Sequence, residues 1–154
     1  MKKILIAVDD TKSTMEIFNK SLYITKCLKP DLIVLVYVEQ FEGKSLIAEM
    51  LGDAEMATLK EALEGSELKE TLDKKAFDIL SRYKRLLQEN LPSPPIKTVV
   101  KGGHAAEEIL KTAKEENIDL IIMGARGKRA SSLFMGSVSR EVSNLAEVPV
   151  LIVK

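Results

Sequence analysis

The chain has 154 residues, enough for one domain with a substantial core, and its 23 basic and 23 acidic residues cancel. That balance removes any general attraction to nucleic acid or to an anionic membrane, so a basic site must be local. No apolar run reaches the ~18 residues of a membrane span; the single Cys27 excludes an internal disulfide, and the single His104 leaves no His-rich metal set and argues against a His-based triad.

The N-terminus MKKILIAVDD contains an apolar run, but Asp9 and Asp10 cut it too short for a signal peptide. With one cysteine, the expected setting is a reducing cytoplasm. Ile4 to Val8 form a first buried strand. Ser13 and Glu16 have capping-box spacing and start a helix through about Leu28. Ile17, Ser21, Ile24 and Leu28 lie along one face of it, and Cys27 is expected to face the core. After Pro30 and Asp31, LIVLVYV (Leu32 to Val38) is a second strand without polar alternation, hence central.

Residues 39–65 read as a helical insert in the crossover after that strand. KSLIAEML and DAEMATLKEALEG make two short helices, stopped by Gly52 and Gly65, with Asp53 as a cap. Ser66 caps a longer helix whose stripe is Leu72, Ala76, Ile79, Leu80, Tyr83, Leu86 and Leu87. Pro92, Pro94 and Pro95 form a stiff turn before a third strand, Ile96 to Val100. Gly102 and Gly103 lead into a helix carrying Ile109, Leu110 and Ala113, which ends near Asn117; His104 at its start is read as structural or exposed.

Leu120 to Met123 form a fourth, wholly apolar strand, closed by Gly124. Gly127 follows, then a basic connection to Gly136, and Ser137 opens an amphipathic helix with Val138, Val142 and Leu145. The last strand is Val148 to Val153, and Pro149 at its start favours an edge position. Strands alternating with helices imply a five-stranded, parallel, doubly wound α/β sheet, helices on both faces and the first strand central, over one domain, 1–154.

In such sheets ligands bind beyond the carboxyl ends of the strands, where the strand order reverses. If the first and fourth strands are neighbours, Asp9 and the Gly124 loop share that crevice, and Val38 lies on the same rim. Glycines admit close backbone approach, and a helix N-terminus attracts anions. The loop is therefore either a phosphate cradle or a plain strand-to-helix turn. A carboxylate repels phosphate, so Asp9 suits ribose hydroxyls or an exocyclic amine. Arg126 is the best placed basic residue for phosphate charge, and Ser137 can cap the helix and contact phosphate together.

The pieces KILIAVDDTKST, KGGHAAEEIL, DLIIMGARG and GSVSREVSNLAEVPVLIVK together resemble the universal stress protein family over nearly the whole chain. The resemblance implies a Rossmann-like fold similar to the adenine nucleotide alpha hydrolases. Its nucleotide-binding branch carries Gly-x-x-Gly, nine residues, then Gly-Ser or Gly-Thr. Gly124, Ala125, Arg126 and Gly127 with Gly136 and Ser137 match, but only eight residues separate Gly127 from Gly136. The resemblance implies ATP as ligand, with Mg²⁺ accompanying its phosphates. Asp9 would contact adenosine and the Val38 backbone would bond adenine. Gly127, Gly136, Ser137 and Val138 would hold phosphates, and Met123 and Gly124 complete the set. It also implies a homodimer through Val150, Leu151, Ile152 and Val153, with a further protein partner that the sequence does not specify.

A receiver-domain acidic pocket lacks its third aspartate after Val38 or Val100, a flavodoxin loop lacks glycine near Thr11, Ser13 and Thr14, and the signatures of adenylyl transfer are missing. No general base, two-carboxylate metal set or Walker lysine supports efficient hydrolysis, so no catalytic residue is assigned and ATP turnover is expected to be slow at most. The expected function is an ATP-binding sensor or regulator of stress responses. The alternative, favoured by the shortened loop, is a dimeric interaction module that binds no nucleotide.

Overall fold

The computed structural model describes residues 2–39, 58, 61, 65–91, 94–125 and 135–154, with the side chains of 12–17 outside that description. In chain order the elements are β1 (Lys3–Val8), α1 (Lys12–Leu28), β2 (Leu32–Glu39), α2 (Glu67–Asn90), β3 (Ile96–Gly102), α3 (Ala105–Glu115), β4 (Leu120–Gly124), α4 (Ser137–Leu145) and β5 (Val150–Val153). All strand pairs are parallel, in the order β3-β2-β1-β4-β5, so β1 is central as expected. Among the described residues no helix is long and apolar enough to cross a membrane.

The lack of polar alternation in the strands has a direct structural cause. Ile4, Ile6, Val8, Ile33, Leu35 and Tyr37 pack on one face, with Phe18 of α1 and Ala76, Ile79, Leu80, Tyr83 and Leu87 of α2. The intervening Leu5, Val34, Val36, Ile121 and Met123 pack on the other, against Ala106, Ile109 and Ala113 of α3 and Val142 of α4. Both faces of each central strand are therefore covered, and each buried aliphatic side chain contributes roughly 1.5–3 kcal/mol. Asp119 fixes the lower end of β4 to β1, accepting Lys2 N–H at 2.7 Å and Lys3 N–H at 2.9 Å through Oδ2.

Helix α2 follows its sequence closely. The Ser66 hydroxyl accepts Lys69 N–H at 3.2 Å, Glu67 and Glu70 occupy the first turn, and the buried stripe is Ala76, Ile79, Leu80, Tyr83 and Leu87. Helix α1 departs from expectation in two ways. It starts at Lys12, so Ser13 lies inside the first turn rather than at the cap. Among its described side chains the buried ones are Phe18, Ser21 and Thr25, and Cys27 is exposed rather than facing the core. Two hydroxyl back-bonds explain the rotation: Ser21 donates to Phe18 O at 2.8 Å and Thr25 to Ser21 O at 2.9 Å. Once satisfied in this way, a serine and a threonine can occupy the core face.

The two helices expected within 39–65 lie outside the described residues, apart from Thr58 and Glu61, which are helical. Gly65 turns at φ +80, a left-handed geometry that suits a helix stop. β3 extends two residues beyond the expected Val100, to Gly102, and Asn117 closes α3 at φ +52. β5 is an edge strand, as Pro149 suggested, though it begins at Val150.

Candidate functional site

The carboxyl ends of β2, β1 and β4 form one rim. Val8 pairs with Tyr37 and Ile6 with Ile122. Continuing these parallel registers sets Asp9 abreast of Val38 on one side and of Ala125 on the other. Crossing from β1 to β4 also moves the following helix from one face of the sheet to the other, which is the condition for a topological switch point.

Asp9 is held twice. Its Oδ1 accepts Thr11 N–H at 2.9 Å and Thr11 Oγ1–H at 2.7 Å, a turn that leads directly into α1. Its backbone carbonyl accepts the Tyr83 hydroxyl at 3.2 Å, across from α2. The Tyr83 ring lies 4.7 Å from that of Phe18, centroid to centroid. Burial pushes the Tyr83 phenol well above its ordinary range, and the Asp9 charge adds to the rise, so Tyr83 is a neutral donor throughout the physiological range. Asp10 pairs with Lys75 of α2 at 2.7 Å.

Val38 packs its side chain toward the α3 and α4 face, and the strand continues to Glu39, which is 4% exposed. Glu39 Oε2 lies 3.7 Å from Lys69 Nζ, and Oε1 has no hydrogen-bond partner among the described residues. A hydrogen bond to Asp73 raises the Lys69 ammonium above its ordinary range, burial opposes this, and Glu39 adds to the rise. Burial also raises the Tyr37 phenol, opposed by Lys75 and assisted by Asp10, Glu39 and Asp9.

On the β4 side Met123 is buried against the α3 and α4 layer and Gly124 ends the strand. Ala125 then acts as an anchor. Its N–H bonds Val153 O at 2.9 Å, and its carbonyl accepts both Gly136 N–H at 2.8 Å and Ser139 Oγ–H at 2.9 Å. The two ends of the connection after β4 are thus drawn together at the rim. Gly136, not Ser137, is the N-cap of α4, at φ −63 and ψ 155; Ser137 is the first helical residue and Val138 the second. A glycine cap offers no side-chain acceptor, and α4 has no acid in its first turn. By helix geometry its first N–H groups therefore point out of the helix end without an internal partner. α2 and α3, by contrast, carry glutamates there.

Asp9, Val38, Met123, Gly124, Gly136, Ser137 and Val138 are therefore brought to one rim by the fold, while Arg126 and Gly127 lie outside the described residues. Ser139, Tyr83, Lys75, Glu39 and Lys69 escaped the sequence reading. Tyr83 and Ser139 had a weak signal available, since a buried phenol and a buried hydroxyl each require a partner. His104 caps α3 without a side-chain cap bond; it lies 3.5 Å from Glu141 and takes no part in the rim.

Between β1 and β4 the void lined by Ile6, Val8, Phe18, Met123 and Gly124 is only about 10 Å³, too small for anything larger than a water. A larger groove of about 310 Å³ lies between α2 and β3, lined by Ala76, Phe77, Leu80, Thr98 and Val100. It is on the outer edge of the sheet, away from the β1–β4 rim, and Asp73, Ser81 and Lys84 also line it.

These features define a doubly wound, Rossmann-like α/β protein with its crevice at the β1–β4 switch. The chain belongs to the universal stress protein family, whose model matches residues 1–154. It is 32% identical to the universal stress protein MJ0577 of Methanocaldococcus jannaschii, covering 99% of this chain and 94% of that one. The solved structure of MJ0577 superposes with a TM-score of 0.75 at 30% identity, over 99% and 95% of the two chains. The fold is also shared with a universal stress protein solved in complex with cAMP (TM-score 0.64, 14% identity, 98% and 94% covered). It recurs in one from Archaeoglobus fulgidus in complex with dAMP (TM-score 0.56, 16% identity, 100% and 98% covered).

Proposed function

We propose that this protein is an adenine-nucleotide-binding regulator, with ATP as the favoured ligand and slow hydrolysis at most. The observation that carries the reading is the Ala125–Gly136 joint, which sets the glycine-capped N-terminus of α4, with no side-chain cap bond among the described residues, on the rim shared by Asp9 and Val38. Adenine would lie by the Val38 backbone and ribose by Asp9. Thr11 orients the Asp9 carboxylate through Oδ1, and an ionised carboxylate accepts hydrogen bonds from hydroxyl donors such as those of ribose. The phosphates would meet Gly136, Ser137 and Val138 at the helix start, with Gly127 and Arg126 on the connecting segment. Family members solved with cAMP and dAMP support an adenine nucleotide as the ligand class.

Among the described residues no group of three or more histidine, cysteine or carboxylate side chains could hold a metal ion. Mg²⁺ would therefore arrive coordinated by the phosphates. Dimerisation belongs to the same reading, because β5 leaves an apolar edge strand open.

The second reading is an interaction module that binds no nucleotide. It is favoured by the eight residues between Gly127 and Gly136, one fewer than the nucleotide-binding spacing. Native mass spectrometry of the purified protein and calorimetry with ATP and adenosine separate the two. Binding is expected for both ligands. Asp9→Ala should weaken both alike, and Gly136→Val should remove ATP binding while adenosine persists. Because Gly136 sits at φ −63, valine meets no left-handed strain there. It is a poorer helix cap than glycine, so a urea titration of the variant separates lost phosphate space from a loosened helix start. No heat with millimolar ATP and no co-purified nucleotide would establish the interaction module instead.

A further inference from the structure

One helix outside the proposed nucleotide contacts is tied to both walls of the adenosine half of the rim. On the β1 side, Tyr83 of α2 donates to the Asp9 carbonyl at 3.2 Å, and Lys75, two turns earlier, pairs with Asp10 at 2.7 Å. On the β2 side, Lys69 lies 3.7 Å from the carboxylate of Glu39, the residue after Val38. The three ties come from one face of a single rigid helix. The Ala76, Ile79, Leu80 and Leu87 stripe seats that helix on the sheet independently of them.

The geometry points to α2 as the brace of the adenosine subsite, with Tyr83 as the positioning residue that fixes the Asp9 backbone and Lys75 and Lys69 holding the flanking residues of the two walls. The inference rests on the adenine-nucleotide reading and adds residues that touch no ligand in it. Chain geometry makes the need plain. Asp9 stands just past the last ladder residue of β1, and a residue that must meet ribose needs a fixed backbone. The Asp9–Thr11 turn orients the carboxylate, and the Tyr83 hydroxyl fixes the main chain that carries it. A phenol held well above its usual titration range keeps that donor across the pH range of any binding assay.

Tyr83→Phe removes only the hydroxyl and leaves the ring on Phe18. Calorimetry at a temperature well below unfolding should show adenosine and ATP weakened by the same factor, about fivefold. Amide resonances of Asp9 to Thr11 should shift, and those of Ser137 to Ser139 should hold. Lys75→Met, an independent tie, should weaken both ligands in the same proportion to one another. Leu80→Val, on the same helix but without a rim contact, is the control for general destabilisation and should leave both affinities within twofold of the parent. Tyr83→Phe affinities within twofold of the parent, or a loss confined to ATP, overturn the brace while the nucleotide reading stands. An equal loss in Leu80→Val also overturns it, since stability and not positioning would then be responsible. If the parent binds neither ligand, the nucleotide reading falls and the brace falls with it.

Discussion

Ser139→Ala tests whether the start of α4 is held in place for a ligand or merely folded. Ser139 is 2% exposed, and its hydroxyl lies 2.9 Å from Ala125 O and 3.0 Å from Gly136 O. One proton serves two acceptors, so the side chain contributes about one net hydrogen bond, ~1 kcal/mol. Neither carbonyl is orphaned by the substitution, since Ala125 O retains Gly136 N–H at 2.8 Å and Gly136 O retains Arg140 N–H at 3.0 Å. Alanine also gains roughly 0.5 kcal/mol of helix propensity over serine. Net destabilisation should therefore be small, ~0.5 kcal/mol, read as a shift of the urea midpoint at constant slope. ATP affinity should fall further, about fivefold, because the helix end loses its fixed position relative to Ala125. Adenosine should bind within twofold of the parent. A stability loss above ~2 kcal/mol would contradict the accounting of carbonyl partners. Equal losses for adenosine and ATP would show that α4 is not on the phosphate side.

Three further outcomes are expected. Leu87→Ala, at a fully buried position of α2, should destabilise by about 2–5 kcal/mol in urea titration, and a change below ~1 kcal/mol would mean that the α2 seat is not packed as described. Asp119 has its carboxyl held below the usual range by the Lys3 and Lys2 amides, so its stabilising charge is present above its unfolded value of about 3.9 and lost as pH falls through the lower folded value. Asp119→Asn should thus be destabilised at pH 7 and converge with the parent as the pH falls through the lowered folded value; a pH-independent difference would show that shape rather than charge is responsible. The carbonyls of Pro149 and Val153 face β4, which by the alternation of a parallel ladder turns the backbone groups of Val150 and Ile152 to the open edge. Ile152→Pro should then give a monomer in sedimentation with its circular dichroism retained, whereas an unchanged dimer would place the contact elsewhere.

The sequence by itself determined the elements and much of the layering. Continuous apolar runs such as LIVLVYV have one stable use in an α/β chain, a strand covered on both faces, and the Leu72-to-Leu87 stripe could only be a helix seated on a sheet. The Ser66 cap was legible because capping acts within three or four residues. The face of α1 was legible in part: Ser21 lies on the expected stripe and is buried, whereas Thr25 reads as polar until its bond to Ser21 O one turn earlier is known. Cys27 is exposed, on the opposite side from Thr25, and the cap of α4 falls on Gly136, a residue with no side chain to signal it. Only the tertiary structure decided which groups meet at the rim. Tyr83 reaches Asp9 across 74 residues, and Ser139 closes on Ala125 across 14. Such pairings depend on strand order, on register and on which face each crossover takes. Those are set by packing whole elements together, and no local window of sequence carries them.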